Sequence, residues 1–304
     1  MSKYKIAILL ATKNGAKYIE EQLHSLFIQK NVDVDLYIND DESNDQTFEI
    51  IKNIAIKYPE NFKFINQKNC GSPSLNFQFI SKNISTRYDY YAFCDQDDIW
   101  EKDKLIAGIG KLNEGYDLYG SRTTYVNEDL FFIGKSPLFN KHPDFSNAIV
   151  QSLAGANTMI FKYHIFNLFK ESADTKIVSH DWWIYIITMY FGYKFYFDKD
   201  SYILYRQHDG NYVGKNTGIR AKFGRLKLIF NGTYENWNDI NFHAINKLKN
   251  SGNKKNILKL NMILEYKKNK NLLYALKIFF KKIIYRQTFI GQMTLLISFL
   301  FKKF

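Results

Sequence analysis

Short apolar runs alternate with helix-like segments through the first hundred residues, and this alternation constrains the fold more than any other feature. Residues 6–11, 36–38, 62–65 and 90–94 are apolar runs of strand length. Between them apolar positions recur at helical spacing, beginning with residues 18–27. Strands that alternate with helices build a mostly parallel sheet covered by helices on its faces. The sequence therefore predicts an α/β fold.

Later segments continue this pattern less regularly. Asp45 is predicted to cap a helix that runs to residue 55. We also predict helices over residues 76–84 and 181–190 and strands over residues 118–125 and 158–161. From Gly218 onward the chain is rich in lysine and in helical patterns. We therefore expect an α/β domain of residues 1–215 and a helical basic region of residues 216–304.

Composition narrows the classes of partner. A net charge of +12 indicates an acidic partner, which is nucleic acid, an anionic membrane or a phosphorylated ligand. The two cysteines, Cys70 and Cys94, form neither a metal motif nor a secreted-type disulfide framework, so we expect a cytoplasmic protein. The apolar stretch of residues 289–301 is shorter than the ~20 residues that a transmembrane helix needs. No membrane span is predicted.

Polar residues follow three of the predicted strands directly. Thr12 comes after the first, Asp40 and Asp41 after the second, and Asp95 after the apolar run of residues 90–94. Ligands of open α/β sheets bind at the carboxyl ends of the strands. We therefore expect these three segments to meet at one edge of the sheet and to bind a ligand there.

The segment Asp95-Gln96-Asp97-Asp98 is a candidate metal site. Clustered carboxylates suit a hard divalent cation such as Mg²⁺ or Mn²⁺, which binds through one or two carboxylates plus substrate phosphates. The alternative is a solvated acidic turn that caps a helix at Ile99-Trp100. Neither a Gly-rich dinucleotide motif nor a phosphate-binding P-loop motif is present, so folds that depend on those motifs are disfavoured.

Asp181 is a candidate general base. It lies at the predicted start of a helix beside Trp182 and Trp183, whose indoles would raise its pKa by desolvation, while the helix N-terminus and a nearby cation would lower it. The alternative is a helix cap beside buried tryptophans. Further along, Arg206 offers a cation for phosphate oxygens and His208 an imidazole for a metal ion.

Six motifs in this order and spacing resemble those of the family 2 glycosyltransferases, and among them the bacterial rhamnosyltransferase-like enzymes of O-antigen, capsule and cell-wall polysaccharide synthesis. The motifs are Ala11–Gly15, Glu21–Leu23, Asp40–Asp45, Asp95–Trp100, His180–Trp183 and Tyr205–His208. The resemblance runs from Tyr4 to about His208. Two residues depart from the family pattern, because Lys13 stands where tyrosine or serine is frequent and Glu42 where glycine is frequent.

The resemblance implies a GT-A fold and an inverting transfer of a sugar from dTDP-rhamnose or a UDP-sugar to a hydroxyl of a lipid-linked or growing polysaccharide. It assigns donor binding to Thr12, Asn14, Asp40, Asp41, Asp95 and Arg206, metal binding to Asp95, Asp97 and His208, base catalysis to Asp181, and the acceptor side to Trp182 and Trp183. The implied cofactor is Mn²⁺ or Mg²⁺. Which of the acids in 95–98 ligates the ion stays open.

Two other functions compete with this interpretation. A metal-dependent nucleotidyl or phosphoryl transferase would use the same acidic segment but would not need Asp181 beside two aromatic residues. A nucleic-acid-binding protein is favoured by net charge alone, and the sequence has no recognisable nucleic-acid-binding motif. We therefore expect no nucleic-acid partner.

The region from Lys254 to Phe304 carries twelve basic residues and one acidic residue, Glu265. Apolar residues interleaved with these cations predict a basic amphipathic helix, and they are Leu272, Leu273, Leu276, Phe279, Phe280, Ile283 and Ile284. Such a helix is typical of proteins that lie on an anionic membrane, where lipid-linked acceptors are found. We expect peripheral attachment to the inner face of the cell membrane. The alternative is a helix packed on the first domain with its lysines in solvent.

Overall fold

A mostly parallel seven-stranded sheet forms the centre of the molecule. The computed structural model describes residues 4–208, 230–248 and 251–304. The strands of this part are β1 (Tyr4–Thr12), β2 (Val32–Asp40), β3 (Phe62–Gln67), β4 (Tyr90–Cys94), β5 (Ile99–Trp100), β6 (Leu118–Ser121), β7 (Thr124–Val126), β8 (Phe132–Lys135), β9 (Ile160–Lys162), β10 (Phe195–Asp198) and β11 (Ile203–Arg206). The order in the main sheet is β10-β6-β9-β4-β1-β2-β3, and β9 alone runs antiparallel to its neighbours.

A smaller four-stranded sheet lies beside the main one, with the order β5-β11-β7-β8. Strand β11 pairs antiparallel with β5 and parallel with β7. Because β5 begins directly after the acidic segment 95–98, this pairing brings the end of β11 to that segment.

Helices cover both faces of the main sheet. In the described residues the helices before position 209 are α1 (Ile19–Phe27), α2 (Thr47–Lys57), α3 (Pro73–Lys82), α4 (Lys104–Asn113), α5 (Phe145–Ala148), α6 (Tyr163–Glu171) and α7 (His180–Tyr190). Those after it are α8 (Thr233–Asn246), α9 (Lys254–Asn269), α10 (Leu272–Phe280) and α11 (Phe289–Leu300). The predicted α/β class, a parallel sheet flanked by helices, is confirmed.

The side-chain alternation of the strands divides the core into two layers. On β1, Ile6, Ile8 and Leu10 pack with α1, α2 and α4 on one face, whereas Ala7 and Leu9 pack with α3, α6 and α7 on the other. Every one of these five residues is fully buried. Because both faces are covered, the strand is a continuous apolar run, as expected for parallel sheets.

The C-terminal helices belong to the second of these layers. Ile278 of α10 and Leu295 and Phe299 of α11 lie in the same buried cluster as Phe93 of β4. The main chains join as well, since Tyr285 N donates to Ser146 O at 3.1 Å. The predicted domain boundary near residue 215 falls outside the described residues, and the helices beyond it share one core with the sheet.

Several predicted elements differ in detail. The single strand predicted over residues 118–125 is two strands, β6 and β7, which belong to different sheets. The amphipathic helix predicted through Ile284 ends at Phe280, and two of its predicted lipid-facing residues, Phe279 and Ile284, are buried in the core. Among the residues described, no helix is long and apolar enough to cross a membrane.

Candidate active site

The ends of β1, β2 and β4 lie side by side in the sheet. Thr12 at the end of β1 pairs with Asp40 at the end of β2, and Leu10 pairs with Cys94 at the end of β4. Asp95 follows Cys94 directly. The three polar segments that the sequence places after separate strands therefore meet at one edge of the sheet, as predicted.

Asp40 is fully buried and organises the loop that follows β2. One carboxylate oxygen accepts from Thr12 Oγ1 at 2.8 Å and from Ser43 Oγ at 2.6 Å. The other oxygen accepts from Ser43 N at 2.7 Å and Gln67 Nε2 at 3.2 Å. With two hydrogen bonds on each oxygen, Asp40 and Thr12 shape the floor of the site and hold its neighbours in place.

Asp41 has a carboxylate that is half engaged. Its Oδ1 accepts from the main-chain N–H groups of Cys70 and Gly71. No group of the described residues hydrogen-bonds to its Oδ2. The side chain is thus fixed at one oxygen and has the other available for a ligand.

The two departures from the family pattern contact each other. Glu42 has φ +54°, a left-handed conformation that favours glycine. The ammonium group of Lys13 donates to the main-chain oxygen of Glu42 at 2.8 Å and also to that of Asp41. Lys13 therefore holds the turn that Glu42 makes less favourable, and the two substitutions are compatible as a pair.

The turn after β1 is joined to the loop after β2 by side-chain bonds. Asn14 has φ +50°. Its Oδ1 accepts a hydrogen bond from Asn44 N at 2.8 Å, and its own N–H donates to Ser43 Oγ at 2.7 Å. Gly15 N donates to Thr47 Oγ1 at 2.7 Å. Asp45, predicted as a helix cap, accepts from Thr47 N at 3.0 Å while α2 begins at Thr47.

Gln96 joins the same turn to the acidic segment. Its Oε1 accepts from Lys13 N at 2.7 Å, and its Nε2 donates to Lys13 O at 2.8 Å. The carboxamide lies against Gly15, where a Cβ atom would stand 2.3 Å from Oε1. Gln96 has no predicted role in the site, although its position between Asp95 and Asp97 is a sequence signal for one.

The acids of the segment 95–98 have different surroundings. Asp98 is buried, accepts from Asn157 Nδ2 at 2.5 Å and from the main-chain N–H of Arg206 at 3.3 Å, and so faces the protein interior. Asp97 Oδ2 lies 2.9 Å from His208 Nε2. Burial, together with the charges of Asp97 and Asp181, raises the pKa of Asp95 to about 7.

Asp95, Asp97 and His208 offer oxygen and nitrogen donor atoms of the kinds that a divalent cation binds. Asp95 and Asp97 repel each other, so a cation between them would stabilise both carboxylates. His208 Nε2 faces Asp97 and would complete an oxygen and nitrogen donor set. Among the residues described, no three His, Cys, Asp or Glu side chains are grouped so as to hold an ion alone. Phosphate oxygens of a substrate would therefore supply the remaining ligands.

Arg206 is buried, and its guanidinium is held by protein acceptors. Nη2 pairs with Glu21 Oε2 at 2.5 Å, Nη1 donates to Glu128 O at 2.5 Å, and Nε donates to Asp97 O at 3.2 Å. The guanidinium also lies over the ring of Tyr18 at 4.6 Å. These contacts fix the main chain at Asp97, and the predicted role of Arg206 in donor binding stays a prediction.

Asp181 lies in the first turn of α7, and its Oδ2 accepts from Ser152 Oγ at 3.3 Å. Its charge contributes to the raised pKa of Asp95, so the two carboxylates lie near each other although 86 positions separate them. The preceding residue, His180, is buried against Phe77 with a ring distance of 4.1 Å. Burial lowers the pKa of His180 to about 4, so its imidazole is neutral near pH 7.

The two tryptophans after Asp181 point into the core. Trp183 is fully buried and donates to Ser172 Oγ at 2.8 Å, and Trp182 donates to Ala148 O at 2.7 Å. The acceptor-side position predicted for Trp183 is wrong, because no part of its indole is exposed. Trp182 is 7% exposed and its role stays a prediction.

Lys104 is a buried cation that the sequence analysis did not single out. Its ammonium group lies 3.1 Å from the ring centre of Trp100 and has no hydrogen-bond partner within the described part of the chain. Burial lowers its pKa to about 7, while Cys94, Asp98 and Asp95 act in the opposite direction. A buried amine that titrates near neutral pH therefore lies close to the acidic segment.

Comparison with known proteins supports the family resemblance. The family model described as Glycosyl transferase family 2 matches residues 7–188. RfbG, a dTDP-rhamnosyl transferase of Shigella flexneri, is 33% identical over 239 residues, which are 74% of this chain and 80% of RfbG. The residues matched by the family model include the ends of β1, β2 and β4 and the acidic segment described above.

Solved structures agree in fold. TarS of S. aureus in complex with UDP-GlcNAc matches with a TM-score of 0.54 and 15% identity, over 92% of this chain and 93% of that one. The mannosyltransferase PcManGT from Pyrobaculum calidifontis, in complex with GDP-Man and Mn²⁺, matches with a TM-score of 0.52 and 13% identity, over 99% and 87%. These likenesses confirm the predicted GT-A type of α/β fold.

Proposed function

Because this chain belongs to glycosyl transferase family 2 and is therefore a glycosyltransferase, we propose that it moves a sugar from a nucleotide-sugar donor to a hydroxyl group of a lipid-linked or growing polysaccharide. The donor is dTDP-rhamnose or a UDP-sugar, and the similarity to RfbG favours dTDP-rhamnose. The reaction inverts the anomeric carbon. The product belongs to O-antigen, capsule or cell-wall polysaccharide.

One observation carries this proposal. Asp181 at the start of α7 lies near enough to Asp95 after β4 for its charge to contribute to the raised pKa of Asp95. Asp95, which would bind the donor diphosphate through a metal ion, thus lies near Asp181, which is suited to accept a proton. A nucleotidyl transferase would need the first of these groups but not the second.

Asp181 is the proposed base in a single displacement. Its carboxylate takes the proton from the acceptor hydroxyl as that oxygen forms a bond to the anomeric carbon. The bond from the anomeric carbon to the diphosphate oxygen breaks at the same time, and its electron pair leaves with the nucleoside diphosphate. Ser152 Oγ, 3.3 Å from Asp181 Oδ2, orients the carboxylate.

The strand ends hold the donor in this proposal. The free Oδ2 of Asp41 accepts from the ribose or base, above the floor made by Thr12 and Asp40, and Asn14 shapes the turn beside them. Asp95, Asp97 and His208 would hold Mn²⁺ or Mg²⁺ together with the diphosphate. When bound, that ion supplies positive charge against the departing diphosphate.

The proposed place of action is the inner face of the cell membrane, where a lipid-linked acceptor is reached from the cytoplasm. The basic C-terminal region supports this location, since Lys254 to Phe304 contains twelve basic residues and one acid. Anionic lipids attract such a region through its charge.

A donor panel tests the function directly. Purified protein is incubated with dTDP-rhamnose, UDP-sugars and GDP-sugars, a soluble acceptor analogue and Mn²⁺, and released nucleoside diphosphate is measured. We expect release with dTDP-rhamnose or one UDP-sugar, and the opposite anomeric configuration in the product by proton NMR. Absence of both release and donor binding throughout the panel would contradict the proposal.

A further inference from the structure

Helix α11, Phe289–Leu300, contains no charged side chain. Its exposed residues are apolar, with 77% of the Phe289 side chain and 50% of the Leu300 side chain in contact with solvent. Lysines flank the helix on both sides, at Lys281 and Lys282 before it and at Lys302 and Lys303 after it. An uncharged helix between pairs of lysines is unusual for a surface that faces only water.

The small polar residues of α11 point inward. Thr294 and Ser298 are buried and donate to main-chain oxygens of their own helix, Thr294 to Ile290 at 2.8 Å and Ser298 to Leu295 at 2.6 Å. The exposed side chains of α11 are instead apolar, and these are Phe289, Ile290 and Leu300, whereas Met293 and Leu296 are half-buried against the core. A water-facing helix would place its hydroxyl groups outward, so this orientation suits an apolar surrounding.

Helix α10, which packs against α11, adds residues of the same kind. Leu273 and Phe280 are 78% and 74% exposed, and Lys277 lies between them on the same face at positions i, i+4 and i+7. The C-terminal apolar surface, as we name it, consists of these exposed side chains of both helices. Glu265, the single acid from position 254 onward, is engaged by Tyr274 Oη at 2.9 Å.

We propose that the C-terminal apolar surface inserts into the interfacial region of an anionic lipid bilayer, with α11 lying in the membrane plane. The twelve residues of α11 extend about 18 Å, short of the ~30 Å hydrocarbon core, so the helix lies in the interface and does not cross it. Exposed apolar side chains enter the acyl boundary, and the flanking lysines bind lipid phosphates. This names the contact surface within the membrane location proposed above.

The positive charge around the C-terminal apolar surface argues against a second copy of the chain as its binding partner. A two-fold interface would bring the same surface of two copies together, and with it Lys281, Lys282 and Lys302 of each. Like charges at the border of such an interface are unfavourable, and no exposed acid of α10 or α11 compensates them. Anionic lipids supply the missing negative charge along the whole border.

Vesicle binding tests the proposal without donor or acceptor. The full chain is mixed with vesicles of phosphatidylcholine alone or of phosphatidylcholine and phosphatidylglycerol, and the sedimented fraction gives the partition coefficient. We expect binding to the anionic vesicles, and a loss of at least about tenfold in the triple variant Phe289→Ser, Ile290→Ser, Leu300→Ser. Lys281→Glu with Lys282→Glu should weaken binding to the anionic vesicles in the same direction.

A matched control replaces three exposed apolar residues elsewhere, Ile28→Ser, Ile56→Ser and Leu75→Ser, and should bind vesicles like the unaltered chain. Unchanged binding by the α11 variant at an unchanged melting temperature would overturn the proposal. So would a lipid-free dimer, seen by sedimentation velocity, that the α11 substitutions dissociate. Donor turnover with a soluble acceptor is measured separately, so a failure of vesicle binding is distinct from a failure of the proposed transfer.

Discussion

The carboxamide of Gln96 and the main chain of Lys13 exchange two hydrogen bonds, one in each direction. This pair joins the loop after β4 to the turn after β1, and it places the side chain of Gln96 where a Cβ on Gly15 would lie. The turn after β1 and the acidic segment are therefore positioned as one unit.

Gly15→Ala should destabilise the protein by roughly 1–3 kcal/mol, because the added methyl group overlaps Gln96 Oε1 and one of the two must move. In a Gln96→Ala background the overlap is gone, so the same glycine substitution should be almost neutral. Urea unfolding of the two single variants and the double variant gives the coupling energy.

Gln96→Glu is the matched control for this pair, since it keeps the acceptor for Lys13 N but removes the donor to Lys13 O. If Gly15→Ala lowers the free energy of unfolding equally in the unaltered chain and in the Gln96→Ala variant, the overlap with Gln96 is not the cause.

Asp97→Asn should lose the dependence of donor affinity on Mn²⁺, because it removes a charge that faces His208 at the proposed metal site. Calorimetry of donor binding with and without Mn²⁺ measures this directly. Asp98→Asn is the control: Asp98 is buried on Asn157 and on the N–H of Arg206, so this change should alter the free energy of unfolding instead. The same Mn²⁺ effect in Asp97→Asn as in the unaltered chain would refute the assignment.

Asp181→Asn should lower kcat by about 10²- to 10⁴-fold and leave the Kd for donor nearly unchanged, because the amide keeps the size of the side chain but cannot accept the proton. Ser152→Ala, which removes the contact to Asp181 at 3.3 Å and that of the same hydroxyl to Ala154 O at 3.2 Å, should have a much smaller effect. The melting temperature, donor Kd and kcat are measured on one preparation. A normal kcat in the asparagine variant would exclude Asp181 as the base.

His180→Phe should reduce the loss of stability in acid. Burial lowers the pKa of His180 to about 4 from an ordinary 6.5, so below pH 6.5 the unfolded chain binds a proton that the folded chain does not. That difference removes stability as pH falls from 6.5 to 4, by up to about 3 kcal/mol. Phenylalanine keeps the stacking on Phe77 and does not titrate.

Chemical unfolding of both proteins at pH 7, 5.5 and 4 provides the measurement. The two stabilities should diverge progressively below pH 6.5 in favour of the phenylalanine variant. Parallel pH profiles would mean that His180 has the same pKa in the folded and the unfolded chain.

The convergence of Thr12, Asp40 and Asp95 could be predicted from the sequence, because each follows an apolar run and the ends of parallel strands share one edge. The helix that carries Asp181 was predictable for a similar reason, from its local pattern. Both inferences depend on the order of neighbouring residues along the chain.

Other features of the site depend on contacts that no local pattern records. Arg206 meets Asp98 because β11 pairs with β5, and the two residues are 108 positions apart. Trp183 is buried because α7 is covered on nearly all sides, and Asp181 is the one residue of this helix that is not buried. Nothing in the sequence distinguishes Lys104 from a surface lysine. It is buried because α4 packs onto Trp100.

The strand order sets a fixed length at this edge of the sheet. Strand β1 lies between β2 and β4, and adjacent strands are about 4.8 Å apart, so Asp41 and Asp95 are carried on backbones roughly 10 Å apart. Main-chain hydrogen bonds define that length, and side-chain substitutions leave it unchanged. Related chains can therefore exchange the residues that discriminate between bases or sugars while the proposed diphosphate site stays at the same position. Donor preference is thus the property most open to change.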